Sequence, residues 1–273
     1  MIEVIIALLL GVLFGVVTGL FPGVHINLVA AFLLASAGYF SGVDVMVLVV
    51  FIVAMAITHT FIDFIPSVFL GAPDEDSFLS VLPGHQMLVE GRGYEAVVLT
   101  LYGSLIGLVV ILIFSFVFVF FLERIYDFVR LVIPFVLIFV SLYLIFREGE
   151  FILSGVVFVL AGFLGLVVFE LPVREPLLPL LSGLFGVSSL IVSVGNKTTI
   201  GPQKICKLRE VRLKWGVFWR NVFAGALAAP FCSFLPGIGA GHAAVIGSEI
   251  NGLEDKRGFL FLVGMINTII IIK

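Results

Sequence analysis

The chain has 273 residues, of which 61% are hydrophobic and 12% are charged, and its mean hydropathy is +1.28. Soluble globular domains are about 45–50% apolar and about 25% charged, so the composition excludes an ordinary soluble enzyme, a disordered tail and a disulfide scaffold. The net charge of −3 argues against a nucleic-acid partner. Cys206 and Cys232 are too few for a disulfide framework, and we interpret both as free thiols.

Apolar segments recur along the chain, and several reach the roughly 17–25 residues that a membrane-spanning helix needs. In chain order these are Val4–Leu20, Val45–Ile62, Ala96–Leu122, Leu131–Phe146, Phe151–Phe169 and Leu177–Val194. Shorter apolar segments cover Ile26–Phe40, Val222–Leu235, Ile238–Ile250 and Phe259–Ile272. The first segment carries Glu3 and no basic residue, which favours a membrane span over a signal peptide. The sequence therefore predicts an all-α polytopic membrane protein, a helical bundle.

Two Pro-Gly pairs interrupt the apolar segments. Pro22-Gly23 separates Val4–Leu20 from Ile26–Phe40, and Pro236-Gly237 separates Val222–Leu235 from Ile238–Ile250. Proline breaks a helix because it lacks a backbone donor and clashes with the preceding turn. The freed backbone groups cannot face lipid, so they must be buried in protein or line a wet cavity. Each pair of segments is predicted to form a broken helical hairpin.

The two hairpins resemble each other in sequence. TGLFPGVHINLVAAFLL aligns with CSFLPGIGAGHAAVIGS when Pro22 is laid on Pro236. With the second copy shortened by four residues, AMAIT (Ala54–Thr58) then resembles GMINT (Gly264–Thr268). We interpret this as an internal repeat. On this alignment Lys273 falls opposite Asp63, so the counterpart of Ile65–Gly93 is missing and the chain is predicted to be a fragment or a truncated form.

The basic loop Lys197–Lys214 gives the orientation, because it holds six basic residues against one acid, Glu210. The positive-inside rule places this loop in the cytoplasm. Five candidate crossings lie between the hairpins, and an odd number makes the repeat inverted in topology, as in many secondary transporters. The predicted organisation is a first repeat (1–122), connecting transmembrane helices (123–196), the basic cytoplasmic loop (197–214) and an incomplete second repeat (215–273). The first repeat divides into the broken hairpin (4–40), a span (45–62), a loop with an amphipathic stretch (65–93) and a further span (96–122).

Glycines recur at every fourth residue in two of the predicted spans. Gly11, Gly15 and Gly19 lie on one face of the first span, and Gly103 and Gly107 lie on one face of the Ala96–Leu122 span. Small residues at this spacing let two membrane helices approach closely. The pattern predicts a helix-packing face on each span.

Several motifs resemble those of a known family. A G-x-x-P-G pattern comes first, G-A-P and LPGHQMLVEGRGYEAV follow, and the second turn carries P-G-x-G. The residues concerned are Gly19, Pro22, Gly23, Gly71, Pro73, Gly84, Gly91, Arg92, Gly93, Glu95, Ala96 and Leu235–Gly239. They resemble the TctA family of membrane permeases, the large subunits of tripartite tricarboxylate transporters. The resemblance covers about Gly15–Gly107 and Gly225 to the end.

This resemblance implies an inverted-repeat secondary carrier for small carboxylates, tricarboxylates among them, in a multi-pass protein of the cell membrane. It also implies two partners besides the lipid bilayer, a small membrane subunit and an extracytoplasmic binding protein. The sequence departs from the family pattern at His25 and Asn27, which replace small residues, and at Asp74–Asp76, which is acidic for an anion pathway.

The two Pro-Gly turns and the G-A-P loop are the predicted substrate site. A broken helix aims the positive end of a half-helix at the cavity, where backbone amides bind carboxylate well. The candidate residues are Pro22, Gly23, His25, Asn27, Gly71, Pro73, Pro236, Gly237, Gly239, Gly241 and His242. The alternative is a pair of simple turns at the membrane surface, with the two histidines in capping or packing hydrogen bonds.

Thr58, His59 and Asp63 are the candidates for binding a coupling ion, Na⁺ or H⁺. His59 and Asp63 are four residues apart and share a helix face, and an ionisable residue within a membrane span is a functional candidate because its burial is costly. The alternative places Asp63 at the end of the span, in the headgroup zone, paired with His59. No metal-binding or catalytic motif accompanies these residues, so we expect no metal site, no cofactor and no enzymatic activity.

We therefore expect a secondary transporter for small carboxylates, driven by Na⁺ or H⁺. Two other hypotheses remain from the sequence. One is a non-transporting membrane partner that is completed by forming a homodimer. The other is an intramembrane enzyme acting on a lipid-linked substrate, with His59 and Asp63 as its acid–base pair.

Overall fold

The computed structural model describes residues 1–21, 29, 42–71, 78–147, 149–172, 176, 180, 182–187, 191, 194–195, 201–233, 239–252 and 255–271. Within these ranges the chain is mostly helical and contains no strand. The helices are α1 (Ile2–Leu20), α2 (Val45–Ile62), α3 (Phe64–Leu70), α4 (Val81–Val89), α5 (Gly93–Arg147), α6 (Phe151–Phe169), α7 (Trp215–Ser233), α8 (Ala240–Asn251) and α9 (Lys256–Ile271).

Four stretches of the described chain are long and apolar enough to cross a membrane: Ile2–Leu20, Val45–Leu70, Gly93–Ser115 and Phe151–Phe169. They correspond to α1, to α2 with α3, to the beginning of α5, and to α6. The prediction of an all-α polytopic membrane protein is confirmed.

The chain divides into two compact units. One comprises Met1–Leu112 and Leu181–Lys273, and the other comprises Ile113–Leu180. The second unit contains the remainder of α5 and all of α6, which has no buried residue. A helix that is apolar on every face and exposed within its chain is suited to a lipid environment.

Helices α1 and α2 pack against each other through the predicted glycine face. A Cβ atom added at Gly15 would lie 2.6 Å from the carbonyl oxygen of Met55 and 2.6 Å from the Cβ of Thr58. Gly11 and Gly19 are equally close to α2. The two helices are therefore in close contact over about two turns, and the predicted packing face is confirmed.

A second close crossing joins α5 to α9. The position of a Cβ on Gly103 is filled by the carbonyl of Phe261, and a Cβ on Gly107 would lie 2.5 Å from the carbonyl oxygen of Met265. From the other side, Gly264 of α9 lies against the backbone of Thr100. The predicted face on Gly103 and Gly107 is thus also confirmed.

Helix α9 lies in the core of the first unit, although its apolar segment is short for a membrane span. Every residue from Leu260 to Ile270 is buried. Helices α2, α4, α7 and α8 pack around it, together with the α5 crossing. Its surroundings are protein on all sides, so the two polar residues Asn267 and Thr268 must find their partners there.

Some predicted elements differ from the observed ones. A single helix, α5, runs from Gly93 to Arg147, where the sequence suggested separate spans at Ala96–Leu122 and Leu131–Phe146. Glu123, Arg124 and Arg130 between those spans are good helix formers, and neither glycine nor proline occurs between Leu122 and Leu131, so nothing in the sequence ends the helix there. Pro134 lies within α5, past this junction. Half of the predicted span Leu177–Val194 lies outside the described residues, and Ser182–Val187 forms a short π-helix.

The helices that flank the two Pro-Gly turns end next to them. Helix α1 ends at Leu20, two residues before Pro22, and α7 ends at Ser233 before the second turn. Helix α8 begins at Ala240, three residues after Gly237. The turn residues 22–28 and 234–238, and nearly all of the segment Ile26–Phe40, lie outside the described residues.

We predict that Gly103→Ala weakens the crossing of α5 with α9. The added methyl group has no room, and overpacking of this kind costs about 1–3 kcal/mol. The thermal melting temperature of the purified protein in detergent should therefore fall. The matched control is Gly162→Ala on α6, where a Cβ meets no heavy atom within 4 Å. A melting temperature for Gly103→Ala equal to that of the control would contradict the crossing.

Candidate functional site

Asp63 lies at the junction of α2 and α3, inside the apolar stretch Val45–Leu70, and only 2% of its surface is exposed. Its Oδ2 atom accepts a hydrogen bond from the side-chain amide of Asn267 on α9 at 2.8 Å. This bond joins two residues that are 204 positions apart in the chain. A carboxyl group this deep in the fold requires such donors, because its desolvation would otherwise be costly.

Hydroxyl groups surround this contact. The hydroxyl of Thr268 donates to that of Thr60 at 3.2 Å, and Thr60 in turn donates to the carbonyl of Ile57 at 2.9 Å. The hydroxyl of Ser104 on α5 lies 3.1 Å from the carbonyl oxygen of Gly264 and 3.4 Å from that of Thr60. Helices α2, α5 and α9 are thus linked by polar contacts at their meeting point.

A further pair extends these contacts to α1. The Nδ1 atom of His59 lies 3.0 Å from the hydroxyl of Thr18, which also donates to the carbonyl of Gly15 at 3.2 Å. Both side chains are buried, at 1% and 3% exposure. His59 is therefore part of the packed contact between α1 and α2.

We call these side chains the polar cluster: Thr18, His59, Thr60, Asp63, Ser104, Asn267 and Thr268, none of them more than 3% exposed. The side-chain oxygen of Asn267, Oδ1, is buried and has no hydrogen-bond partner among the described residues. Carboxylate, amide, hydroxyl and carbonyl oxygens are the ligands that hard cations prefer. A carboxyl group can also hold a proton, so the cluster has the chemistry to bind either a small cation or H⁺.

The remaining predicted site residues are only partly described. The hydroxyl of Thr58 donates to the carbonyl of Ala54 in its own helix at 2.8 Å. Gly71 ends α3 with a φ of 61°, a conformation that glycine adopts easily. Pro22, Gly23, His25, Asn27, Pro73, Pro236 and Gly237 lie outside the described residues.

The other three predicted site residues, Gly239, Gly241 and His242, lie at the start of α8. Gly239 precedes the helix in an extended conformation, and its carbonyl accepts from the amide of Ala243 at 3.3 Å. Gly241 is buried, whereas His242 is exposed in this chain. The second turn is therefore followed directly by a helix N-terminus.

Sequence reasoning overlooked part of the cluster. Asn267 and Thr268 lie within GMINT, and an amide in an otherwise apolar segment is the signal that would have indicated them. Ser104 gave no signal, because a serine in a membrane helix often bonds to its own backbone. The spatial neighbourhood of these residues depends on the crossing of α9 with α2 and α5, which no local pattern specifies.

The family-like motif around Gly91 forms the corner between α4 and α5. Gly91 has a φ of 77°, and its carbonyl accepts from the amide of Lys204 at 2.8 Å. The amide of Gly93 donates to the side-chain carbonyl of Gln203 at 2.9 Å. These two hydrogen bonds attach Gln203 and Lys204, in the segment that precedes α7, to the corner.

Ion pairs tie the same corner to α9. The guanidinium of Arg92 contacts Glu95 at 2.8 Å, and Arg257 at the start of α9 contacts the same carboxylate at 2.8 Å. Lys256 adds a contact to Glu90 at 3.1 Å. The hydrogen bond to Glu95 raises the pKa of Arg92 above its ordinary value, so Arg92 keeps its charge. These residues of the motif have an evident structural role.

Fold and site together define a multi-pass membrane protein with a buried polar cluster between its helices. The sequence matches the tripartite tricarboxylate transporter TctA family over residues 5–271, and the chain belongs to that family. It is 34% identical over 265 residues to MJ1079, an uncharacterised protein of Methanocaldococcus jannaschii. That alignment covers 95% of this chain and 64% of the relative, so the chain spans less than two thirds of the relative's length. No solved structure matches the chain.

We predict that Asn267→Leu destabilises the protein more than Thr268→Val. The leucine is of similar size but removes a donor from the buried carboxyl of Asp63, and loss of a hydrogen bond to such a group costs about 1.5–3 kcal/mol. The valine removes only a bond between two hydroxyls, which is worth about 0.5–1.5 kcal/mol. Thermal melting in detergent measures both variants. The assigned contact would be wrong if Asn267→Leu melted at or above the temperature of Thr268→Val.

Proposed function

We propose that the protein is a secondary transporter for small carboxylates, tricarboxylates among them, coupled to Na⁺ or H⁺. Membership of the TctA family supports the class of activity. The observation that carries the proposal is the burial of Asp63 within an apolar membrane-spanning stretch, among oxygen ligands from α2, α5 and α9. Ionisable residues in such positions mark ion and substrate pathways, because burying them is costly.

In this proposal the polar cluster binds the coupling ion. Asp63 supplies the charge, and Asn267 supplies a buried oxygen, Oδ1, that makes no hydrogen bond with the described residues. His59 and Thr60 extend the polar surface toward α1 and α5. Because α2 and α9 come from opposite ends of the chain, an ion held between them favours one arrangement of the two segments. That is the linkage that coupled transport needs.

The contacts of α1 and α7 support the proposed repeat. When Pro22 is laid on Pro236, Gly11 falls on Gly225, and when Ala54 is laid on Gly264, Met55 falls on Met265. A Cβ on Gly11 would lie 3.2 Å from the backbone nitrogen of Met55, and a Cβ on Gly225 would lie 2.9 Å from the sulfur of Met265. The equivalent glycines Gly11 and Gly225 thus pack against the equivalent methionines Met55 and Met265.

We place the substrate carboxylate at the two Pro-Gly turns. The start of α8 at Ala240, directly after the second turn, supports this placement because a helix N-terminus attracts an anion. Gly239 and Gly241 would let the substrate approach the backbone. Pro22, Gly23, His25 and Asn27 would contribute from the first turn, Gly71 and Pro73 from the loop, and Pro236, Gly237 and His242 from the second turn.

We further propose that the protein works in the cell membrane with a small membrane subunit and an extracytoplasmic binding protein, as its family name implies. The basic segment before α7 supports a cytoplasmic position for that end of the bundle.

The test is uptake of a panel of labelled carboxylates into proteoliposomes, with an imposed Na⁺ or pH gradient and without one. Asp63→Asn keeps the size of the side chain and removes its charge. We expect it to lower gradient-driven uptake by at least about tenfold, since hydrogen bonds and contacts to a charged group are worth about 1.5–3 kcal/mol. The control is Glu170→Gln at the exposed end of α6, which should transport like the wild type.

The outcomes separate the parts of the proposal. If the folded wild-type protein transports none of the carboxylates under either gradient, the carrier function is wrong. If Asp63→Asn retains the full dependence on the gradient, the carrier function stands and the polar cluster is not the coupling site.

A further inference from the structure

A surface groove of about 450 Å³ lies on the first unit, between α5, the beginning of α7, α9 and the segment that precedes α7. Its floor is apolar and well packed, since Leu99 and Phe261 are no more than 2% exposed. Its outer walls are apolar and exposed: Leu105 is 50% exposed, Leu208 is 54% exposed and Trp215 is 74% exposed. The groove is large enough for part of an organic ligand, because such sites occupy about 300–1,000 Å³.

The same groove is lined by two arginines, Arg209 and Arg212. Both residues are exposed, and no acidic side chain in the described part of the chain pairs with either of them. Glu210, between them, lines a separate cavity with Arg92 and Lys204. The groove therefore combines an apolar wall with two cationic groups that have no counter-ion in the described structure.

The arginine-bearing segment is fixed in place. The hydroxyl of Tyr102 on α5 donates to the carbonyl of Leu208 at 2.8 Å, and the guanidinium of Arg257 on α9 donates to the carbonyl of Arg212 at 3.1 Å. Val211 is buried at 2% exposure against the α4–α5 corner. The two arginines thus stand at a preformed site, so a ligand would not need to order the segment first.

The position of the groove selects a lipid. The lining residues from Leu99 to Ile106 cover about 10 Å along the start of the membrane-spanning stretch Gly93–Ser115. Tryptophan and arginine are enriched where the apolar core of a bilayer meets the headgroups. A small soluble carboxylate would make no contact with the apolar wall. A purely apolar helix would leave both arginines without a counter-ion.

We propose that this groove binds an anionic phospholipid, with its phosphate at Arg209 and Arg212 and an acyl or ether-linked chain along Leu99, Leu105 and Ile106. Basic pockets beside membrane helices bind anionic headgroups in this way. The site is separate from the polar cluster and does not depend on the transport activity. It gives Arg209 and Arg212, in the segment that precedes α7, a specific lipid ligand.

The test uses the fluorescence of Trp215 in the purified protein. The sequence has two tryptophans, Trp215 and Trp219, so Trp219→Phe leaves the groove residue as its reporter. The protein is reconstituted into vesicles containing phosphatidylglycerol or phosphatidylcholine with brominated chains, which quench tryptophan on contact. The ratio of the two quenching constants measures the preference of the groove for the anionic lipid.

We expect a preference of up to about thirtyfold for phosphatidylglycerol, since each basic group near the headgroups contributes about a factor of five. Arg209→Gln with Arg212→Gln should bring the preference close to one. The charge-matched control is Lys207→Gln with Arg220→Gln, two exposed basic residues that do not line the groove, and it should keep the preference. Glycerol phosphate at millimolar concentration should not reduce the quenching, because it lacks the chain.

The proposal would be wrong if the two lipids quenched the Trp219→Phe protein equally, or if the preference for phosphatidylglycerol survived the loss of both groove arginines. It would also be wrong if the charge-matched control lost the preference to the same extent, or if glycerol phosphate displaced the lipid. If neither lipid quenches Trp215 and the protein runs as a dimer or with a bound partner by native mass spectrometry, a protein surface occupies the groove instead.

Discussion

The hydrogen bond between Asp63 and Asn267 is the contact on which the arrangement of the first unit depends. A bilayer offers no water to a polar side chain, so each such group must find its partners inside the protein. Asp63 and Asn267 occur in otherwise apolar segments and meet at 2.8 Å. Their contact fixes the junction of α2 and α3 against α9, and the hydroxyls of Thr60, Ser104 and Thr268 complete the same region.

Small residues make that meeting possible. Backbone contact at Gly15 between α1 and α2, and at Gly103 and Gly264 between α5 and α9, brings the helices close enough for short hydroxyl side chains to reach across. In a membrane the hydrophobic effect does not drive helices together, so packing and polar contacts must supply the specificity of their association. The polar cluster and the glycine crossings therefore stabilise the same geometry. A polar contact so placed is also able to respond to an ion, which is the basis of the proposed coupling.

The sequence predicted the elements whose signal is local. Hydropathy gave the spans of α1, α2 and α6 to within about two residues, and the glycine spacing gave two packing faces that the structure confirms. It predicted two spans, Ala96–Leu122 and Leu131–Phe146, where the structure has one continuous helix, because hydropathy falls at the charged residues near Glu123 and no residue there breaks the helix. It identified Asp63 and His59 but not their partners Asn267 and Thr18. Those pairs depend on helix crossings between distant parts of the chain, which single residues do not reveal.

The most direct test of the account is whether a coupling ion stabilises the folded protein through Asp63. A ligand that binds the folded state alone raises stability by about 2.7 kcal/mol at a concentration one hundred times its dissociation constant. The melting temperature of the purified protein would be measured in Na⁺ against K⁺ at equal ionic strength, and across a pH series. We predict that Na⁺ or H⁺ raises the melting temperature of the wild type and leaves that of Asp63→Asn unchanged. A wild type indifferent to both ions, or a shift that persists in Asp63→Asn, would contradict the account.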